Sequence, residues 1–220
     1  MLEVRWLGHS CFALSDGETT VVMDPHDGDS LNLPPPRVEA DVVTVSHGHE
    51  DHAGGVGLFG CPVYREAVDV VVGSARLRGV ACWHDGVRGA RLGGNVVWSV
   101  YMGGLQATHL GDLGHYLTSS QMFQVGFPDL LMVNTGGNLA LAEDTVDLLG
   151  PRVVIPMHYY TPGIRFPYYH LKAVADFTRG KPNVVHVGRR RVYTRENLPR
   201  SQEIHVFQAP RKRDKNLGAF

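Results

Sequence analysis

Short β-rich runs alternate with turn residues along the first quarter of this chain. Glu3–Leu7, Cys11–Leu14 and Thr19–Asp24 read as strands, with Ser15-Asp16-Gly17 as the hairpin turn between the last two. Three consecutive prolines at 34–36 make Leu31–Arg37 an extended surface loop. Asp41–Ser46 (DVVTVS) is a short apolar run with β-branched residues, the pattern of a buried strand. Strand-like character returns from Pro62 to Trp83, with a helix expected around Arg65–Val71. Asn95–Tyr101 and Leu105–His109 flank Met102-Gly103-Gly104 and predict a hairpin. Thr118, whose hydroxyl can accept an orphan amide hydrogen bond, starts a helix through Gln124. Leu130–Asn134 (LLMVN) is a further buried strand, Leu141–Leu149 a helix stopped at Gly150-Pro151, and Val153–Met157 (VVIPM) a strand again. Tyr168–Thr178 is helical in pattern, followed by strands near Val184–Val187 and Ile204–Gln208. Strands dominate, helices lie between them, and no linker or short repeat divides the chain. A single α/β domain over 1–208 is expected, with a basic tail over 209–220.

Composition changes this picture little. Of 220 residues, 43% are hydrophobic and 20% charged, a globular balance that excludes a disordered or coiled-coil chain. A formal net charge of −1 demands no nucleic-acid or membrane partner. The longest apolar runs stop far short of the roughly 20 residues that span a bilayer. The last dozen residues (APRKRDKNLGAF) carry four basic side chains, enough only for weak, salt-sensitive nucleic-acid binding. No secretory signal is visible, and Cys11, Cys61 and Cys82 have no metal-type spacing, which together predict reduced thiols in a cytoplasmic protein. Homo-oligomerisation is left open. Two counts stand out, 26 glycines and 12 histidines.

The histidines lead to chemistry. Residues 46–52 read SHGHEDH. His47 and His49, two apart in a turn leaving a strand, can face one cation, and Asp51 and His52 a second across the turn. Gly48 lets the backbone bend close to them. Imidazole with carboxylate suits zinc, iron or manganese, not calcium. Asp112 sits in GDLG directly after a predicted strand, and His158 ends the apolar run VVIPM, where a ligand at a strand tip is expected. His84 and His109 both end strand-like runs, and either could supply a further imidazole. His109 precedes Asp112 by three residues, which in extended chain puts the two on opposite faces. His84 instead opens a glycine-rich stretch (Gly86, Gly89, Gly93, Gly94) that lets the backbone fold over a metal.

HGHEDH resembles the signature of the metallo-β-lactamase-fold hydrolases. WLGHSCF at 6–12, MDP at 23–25, HDGVRGARLGGN at 84–95, HLGDLGH at 109–115 and IPMHY at 155–159 are similar to the branch that includes L-ascorbate-6-phosphate lactonase-like metal-dependent hydrolases. The likeness runs from the first strand to about residue 160. It implies a four-layer αββα sandwich with two divalent metal ions at the end of the sheets, zinc favoured over manganese or iron. It also implies His47, His49 and His84 in a first metal site, Asp51, His52 and His158 in a second, and Asp112 bridging both. A hydroxide shared by the two cations, with the pKa of water lowered toward about 7, would cleave a small ester, lactone or phosphoester. Asp51 would return the proton to the leaving group. His9, in the LGHS turn, is either a residue that bonds a substrate oxygen or metal-bound water, or a structural one.

Asp24 and Asp85 are expected to orient ligand imidazoles through their second nitrogens. His115 and Tyr159 flank ligands and are further candidates to face substrate, while His26, His170, His186 and His205 read as surface or structural. Asp27–Arg37 and Tyr160–Pro167 are expected to frame the pocket, with Arg165 either on the surface or holding an anionic group. Three other readings fit the sequence less well. A nuclease or phosphodiesterase of the same superfamily is disfavoured, because the large inserted domain of RNA-processing members is absent and the overall charge is near neutral. Di-iron flavoproteins carry a carboxylate where His49 stands. The complete ligand set argues against a non-catalytic metal-binding module.

Overall fold

Along β1 (Leu2–Gly8) the side chains of Leu2, Val4 and Trp6 enter one apolar cluster, while Leu7 joins Cys11 and Ala13 of β2 (Cys11–Ser15) in another. Alternation with both faces apolar is what a strand buried on both sides requires. A computed structural model describes residues 1–210 and carries this pattern through the molecule. The chain continues through β3 (Thr20–Met23), β4 (Val42–Thr44), α1 (Glu50–Ala53), β5 (Val63–Tyr64), β6 (Asp69–Val72), β7 (Ala75–Trp83), β8 (Gly94–Met102) and β9 (Leu105–His109). It ends with α2 (Ser119–Val125), β10 (Leu130–Asn134), α3 (Leu139–Leu149), β11 (Val153–Met157), α4 (Val174–Thr178), β12 (Val184–Val187), β13 (Arg190–Tyr193) and β14 (Glu203–Phe207).

The strands form a six-stranded sheet, in the order β13-β1-β2-β3-β4-β5, and an eight-stranded sheet, β12-β14-β11-β10-β9-β8-β7-β6. Both are mixed: β3, β4 and β5 run parallel, as do β9, β10, β11, β14 and β12, and the remaining neighbours are antiparallel. Trp6, Phe12 and Met23 of the first sheet meet Trp98, Met132 and Ile155 of the second in the central core. The outer face of the second sheet (Val97, Leu131, Val154) lies under Ala142, Val146 and Leu149 of α3 and Phe177 of α4. The outer face of the first (Ala13, Val22, Val43) is covered by Ala53 of α1, Val56 and Phe59. Helix, sheet, sheet, helix is the four-layer α/β sandwich expected from the sequence.

Three local readings change. The helix expected at Arg65–Val71 does not form; Asp69–Val72 is instead β6, paired antiparallel with β7. Val68, Val70 and Val72 pack against the central core while Asp69 and Val71 are exposed, a period of two rather than 3.6. Helix over Tyr168–Thr178 is confined to Val174–Thr178. β13 was not expected, because RRVY reads as polar surface; it is an edge strand supported by β1. The helix expected from Thr118 does form, with Thr118 and Gln121 bonding each other's backbone amides in a capping box. Ala209 packs against the central core and Pro210 is buried, while the rest of the expected basic tail lies outside the described residues. No helix among the described residues is long and apolar enough to cross a membrane.

Candidate metal centre

Chain reversals at one edge of the two sheets bring the polar residues together. Asp24 follows β3, Ser46 to His52 follow β4, His84 follows β7, Asp112 follows β9, Asn134 ends β10 and His158 follows β11. Clefts outside the carboxyl ends of parallel strands are the usual sites for ligands in open α/β sheets. Three of the turns need backbone that L-residues rarely adopt: His9, Asp24 and His158 have φ of +53°, +46° and +56°. Such residues cost on the order of 1–3 kcal/mol each and persist where surrounding structure holds them. Here the His158 amide donates to the His9 carbonyl at 3.1 Å, tying two of the three together.

Two sets of donors result. His47 Nε2 lies 3.0 Å from His49 Nδ1, and the His84 ring is 4.6 Å from that of His47 and 4.9 Å from that of His49. In the second set Asp51 Oδ2 lies 2.9 Å from His9 Nε2 and 3.2 Å from Nε2 of both His52 and His158. Between them, Asp112 Oδ2 is 3.3 Å from Nε2 of His84 and of His158, 3.5 Å from that of His52 and 4.0 Å from that of His47.

The pattern of the β-lactamase superfamily domain matches residues 3–158. A UPF0173 metal-dependent hydrolase of Thermus thermophilus is 31% identical over 199 residues, covering 75% of this chain and 87% of its own. The chain belongs to this family of metal-dependent hydrolases. A solved protein of the metallo-β-lactamase superfamily from Thermotoga maritima matches 95% of this chain and 100% of its own, with a TM-score of 0.76 at 32% identity. Igni18, a metallo hydrolase of Ignicoccus hospitalis, shares the fold, with a TM-score of 0.55 at 21% identity over 75% of this chain and 86% of its own.

In this hydrolase the imidazoles are aimed by a ring of supporting bonds. Asp24 accepts the Ser46 amide at 2.6 Å, the Ser46 hydroxyl at 2.5 Å and His52 Nδ1–H at 2.6 Å. The Ser46 hydroxyl in turn lies 2.9 Å from His47 Nδ1. With Nδ1 of both rings committed, Nε2 is the nitrogen each presents to the centre, the arrangement that fixes metal-ligating histidines. Asp85 does not share the task foreseen for it. Its carboxylate accepts four backbone amides, from Val87, Gly89, Arg91 and Leu92, and holds the glycine-rich loop behind His84.

Asn134 was not foreseen at all. Its Oδ1 accepts the Gly136 and Gly137 amides, which leaves Nδ2 to donate to Asp112 Oδ1 at 2.7 Å. An asparagine at a strand end carries no signal of this in the sequence.

The other histidines are accounted for structurally. His109 is fully buried, with Nε2–H on the Ser10 carbonyl at 2.8 Å and Nδ1 accepting the Gly111 amide at 3.0 Å, so neither ring nitrogen is free for a metal. His115 is similarly spent on the Tyr116 carbonyl and the Trp83 amide, and Tyr159 is a core residue packed on Trp6. His26 and His205 are buried in structural hydrogen bonds, and His170 and His186 are exposed. His9 is 1% exposed, and its Nε2 faces Asp51 rather than open space.

The donors fit a cation. Nε2 of His52, of His84 and of His158 is buried and has no hydrogen-bond partner among the described residues. Leaving a buried polar group without a partner costs about 1–3 kcal/mol, and all three converge on Asp112, His52 and His158 also on Asp51, an arrangement that suits a positively charged occupant. For two of these imidazoles the carboxylates favour the charged form. Burial opposes the charge on His158, but Asp112 and then Asp51 outweigh it and raise its pKa to about 9. His52 is raised well above its ordinary value in the same way, by Asp112, Asp51 and Asp24 against burial. Burial first, then neighbouring imidazoles, push His9 down to about 3 and His47 down to about 2. Metal binding to such a site releases protons.

Proposed function

We propose that this hydrolase holds two divalent cations, zinc by preference, and cleaves a small carboxylic ester, lactone or phosphoester. His47, His49 and His84 form one site, Asp51, His52 and His158 the other, and Asp112 bridges them. The observation that carries this reading is the position of Asp112 Oδ2, within 3.3–4.0 Å of an Nε2 from His47, His52, His84 and His158. Seven donor side chains are more than one tetrahedral site uses. A bound cation pair supplies water of lowered pKa, toward about 7, and polarises the oxygen of the scissile group.

Around it the protein's residues hold and orient. Asn134 holds Asp112 through Oδ1, which leaves Oδ2 facing both sets of imidazoles. His9 donates to Asp51 and holds it toward His52 and His158, a positioning role. Asp51 also lines the cavity over the centre, within reach of a departing group. The Thermotoga maritima relative, whose name assigns it provisionally to zinc-dependent hydrolases, supports the preference for zinc. The lactonase-like motifs of the sequence support lactones among the substrates.

Elemental analysis of zinc-reconstituted protein, beside a screen of esters, lactones and phosphodiesters, tests the proposal. About two ions per chain are expected, with turnover falling at least about 100-fold in a folded Asp112→Ala variant. Trace metal with no uptake on titration, or near-normal turnover in that variant, overturns it.

A further inference from the structure

Two cavities meet over the centre. One, of about 310 Å³, runs between α3 and the segment after β9; the other, of about 440 Å³, lies under Phe166, Tyr168 and Tyr169. They share His84, Leu92, Asp112 and Tyr169, so a molecule whose scissile group sits at Asp112 extends into both.

The first cavity is walled by Leu110, Leu113, Val133, Leu141 and Ala142. Most of its polar side chains away from the metal donors are engaged within the protein. Asp85 is saturated by four backbone amides, and Asn134 is held by Gly136, Gly137 and Asp112. Asn138 Oδ1 caps α3 through the Leu141 amide, and the Thr145 hydroxyl donates to the Leu141 carbonyl at 2.7 Å. Among the described residues, no lysine or arginine lines either cavity. Lys172 reaches the rim, but its ammonium is on the Gly137 carbonyl, and Arg165 is exposed outside both linings. Of the two loops expected to frame the pocket, Tyr160–Pro167 contributes Phe166, and Asp27–Arg37 lines neither cavity.

Away from the metal donors, an anionic group in this cavity would lose water and find no cationic side chain, whereas an alkyl chain or ring gains from burial. We propose that the substrates are uncharged esters or lactones whose acyl group is an apolar chain or ring seated beside α3; this rests on the hydrolytic reading above. In the reaction, water's oxygen joins the acyl carbon and the C–O bond breaks with its electron pair on the leaving oxygen. A proton from that water passes to the leaving oxygen.

The test is the kcat/KM of zinc-loaded protein on p-nitrophenyl acetate, butyrate, hexanoate and octanoate, with the mono-p-nitrophenyl ester of succinate as an anionic acyl group. Leu92→Lys is the variant, since Leu92 lines both cavities and is 49% exposed, so the change does not disturb the core. The expected result is a rise of about fourfold per methylene until the cavity is filled, with succinate far below butyrate. In Leu92→Lys that slope flattens and succinate gains on butyrate. A flat or falling series, or succinate equal to butyrate, overturns the inference while leaving ester hydrolysis standing. Failure to cleave any of these esters sinks the hydrolytic reading instead, and calorimetry with octanamide and acetamide then decides the cavity. Tighter octanamide binding that Leu92→Lys weakens upholds the apolar site; equal binding overturns it.

Discussion

His84 and His109 differ by what their ring nitrogens already do. Both nitrogens of His109 are spent on the Ser10 carbonyl and the Gly111 amide, whereas both of His84 are buried without a hydrogen-bond partner among the described residues. His84→Ala is therefore expected to lose at least one metal equivalent with little change in the Tm of the chelated protein. His109→Ala should keep its metal but lose on the order of 1–3 kcal/mol, because it strands two buried backbone groups. Metal content and Tm of the two variants measured together check this, and metal loss in His109→Ala alone would reverse the assignment. Asn134→Ala tests the support of Asp112. It should lower zinc affinity about 10- to 100-fold, the usual effect of removing a group that orients a ligand, and competition with a chelator reads it.

Some of the turns through which elements reach the centre have no room for larger residues. Gly111, at φ +57°, carries the chain from β9 to Asp112, and a Cβ there would collide with Asn95 Oδ1 and with the Ser46 side chain that aims His47. Gly111→Ala is expected to destabilise by about 2 kcal/mol or more and to weaken metal binding. Gly86 has an ordinary φ, and a Cβ on it would find only the Gly114 carbonyl at 3.9 Å. Gly86→Ala should therefore be near neutral, although both glycines sit in motifs of the same look. Comparing Tm and zinc affinity of the two variants tests whether space, rather than glycine content, is what the turns require. β6 makes the matching point for strands: its valines alternate, and pairing with β7 overrode the helical reading of the same stretch.

Charge balance over the whole molecule predicts how the metal-free fold responds to pH. His158 is raised from 6.5 to about 9, so its contribution is complete below pH 6.5 and is lost as pH rises through 9. His9 and His47, lowered to about 3 and about 2, stay neutral in the fold while the unfolded chain takes up protons below pH 6.5. Their contribution is lost as pH falls below 6.5. Chelated protein is accordingly expected to have its highest Tm near pH 6.5, falling on both sides. Zinc displaces the His158 proton, so the alkaline decline should disappear in the loaded protein. Calorimetric scans of both forms from pH 5 to 10 decide it; a chelated protein that gains stability between pH 7 and 9 would refute the assignment of charge.

The contiguous cluster His47, His49, Asp51 and His52 was legible in the sequence because one turn holds all four, so spacing alone brings them together. Alternating apolar runs likewise determined most strands and the α/β class, since burial on both faces imposes its period on the chain. Asp112 and His158 were legible only as polar residues at strand tips, and the roles proposed for them rest on the family motifs. Tertiary structure decided the rest. Which imidazole joins His47 and His49 depends on which ring nitrogens the backbone of distant segments leaves free. Asn134 acquires its task only because β10 lies between β9 and β11, and Asp85 loses its expected one because four amides of its own loop surround it. The short edge strand β13, with its run of arginines, exists only where β1 offers a partner. Local pattern fixes what a segment can bury, but a site assembled from six strand ends is set by the sheet order that places those ends side by side.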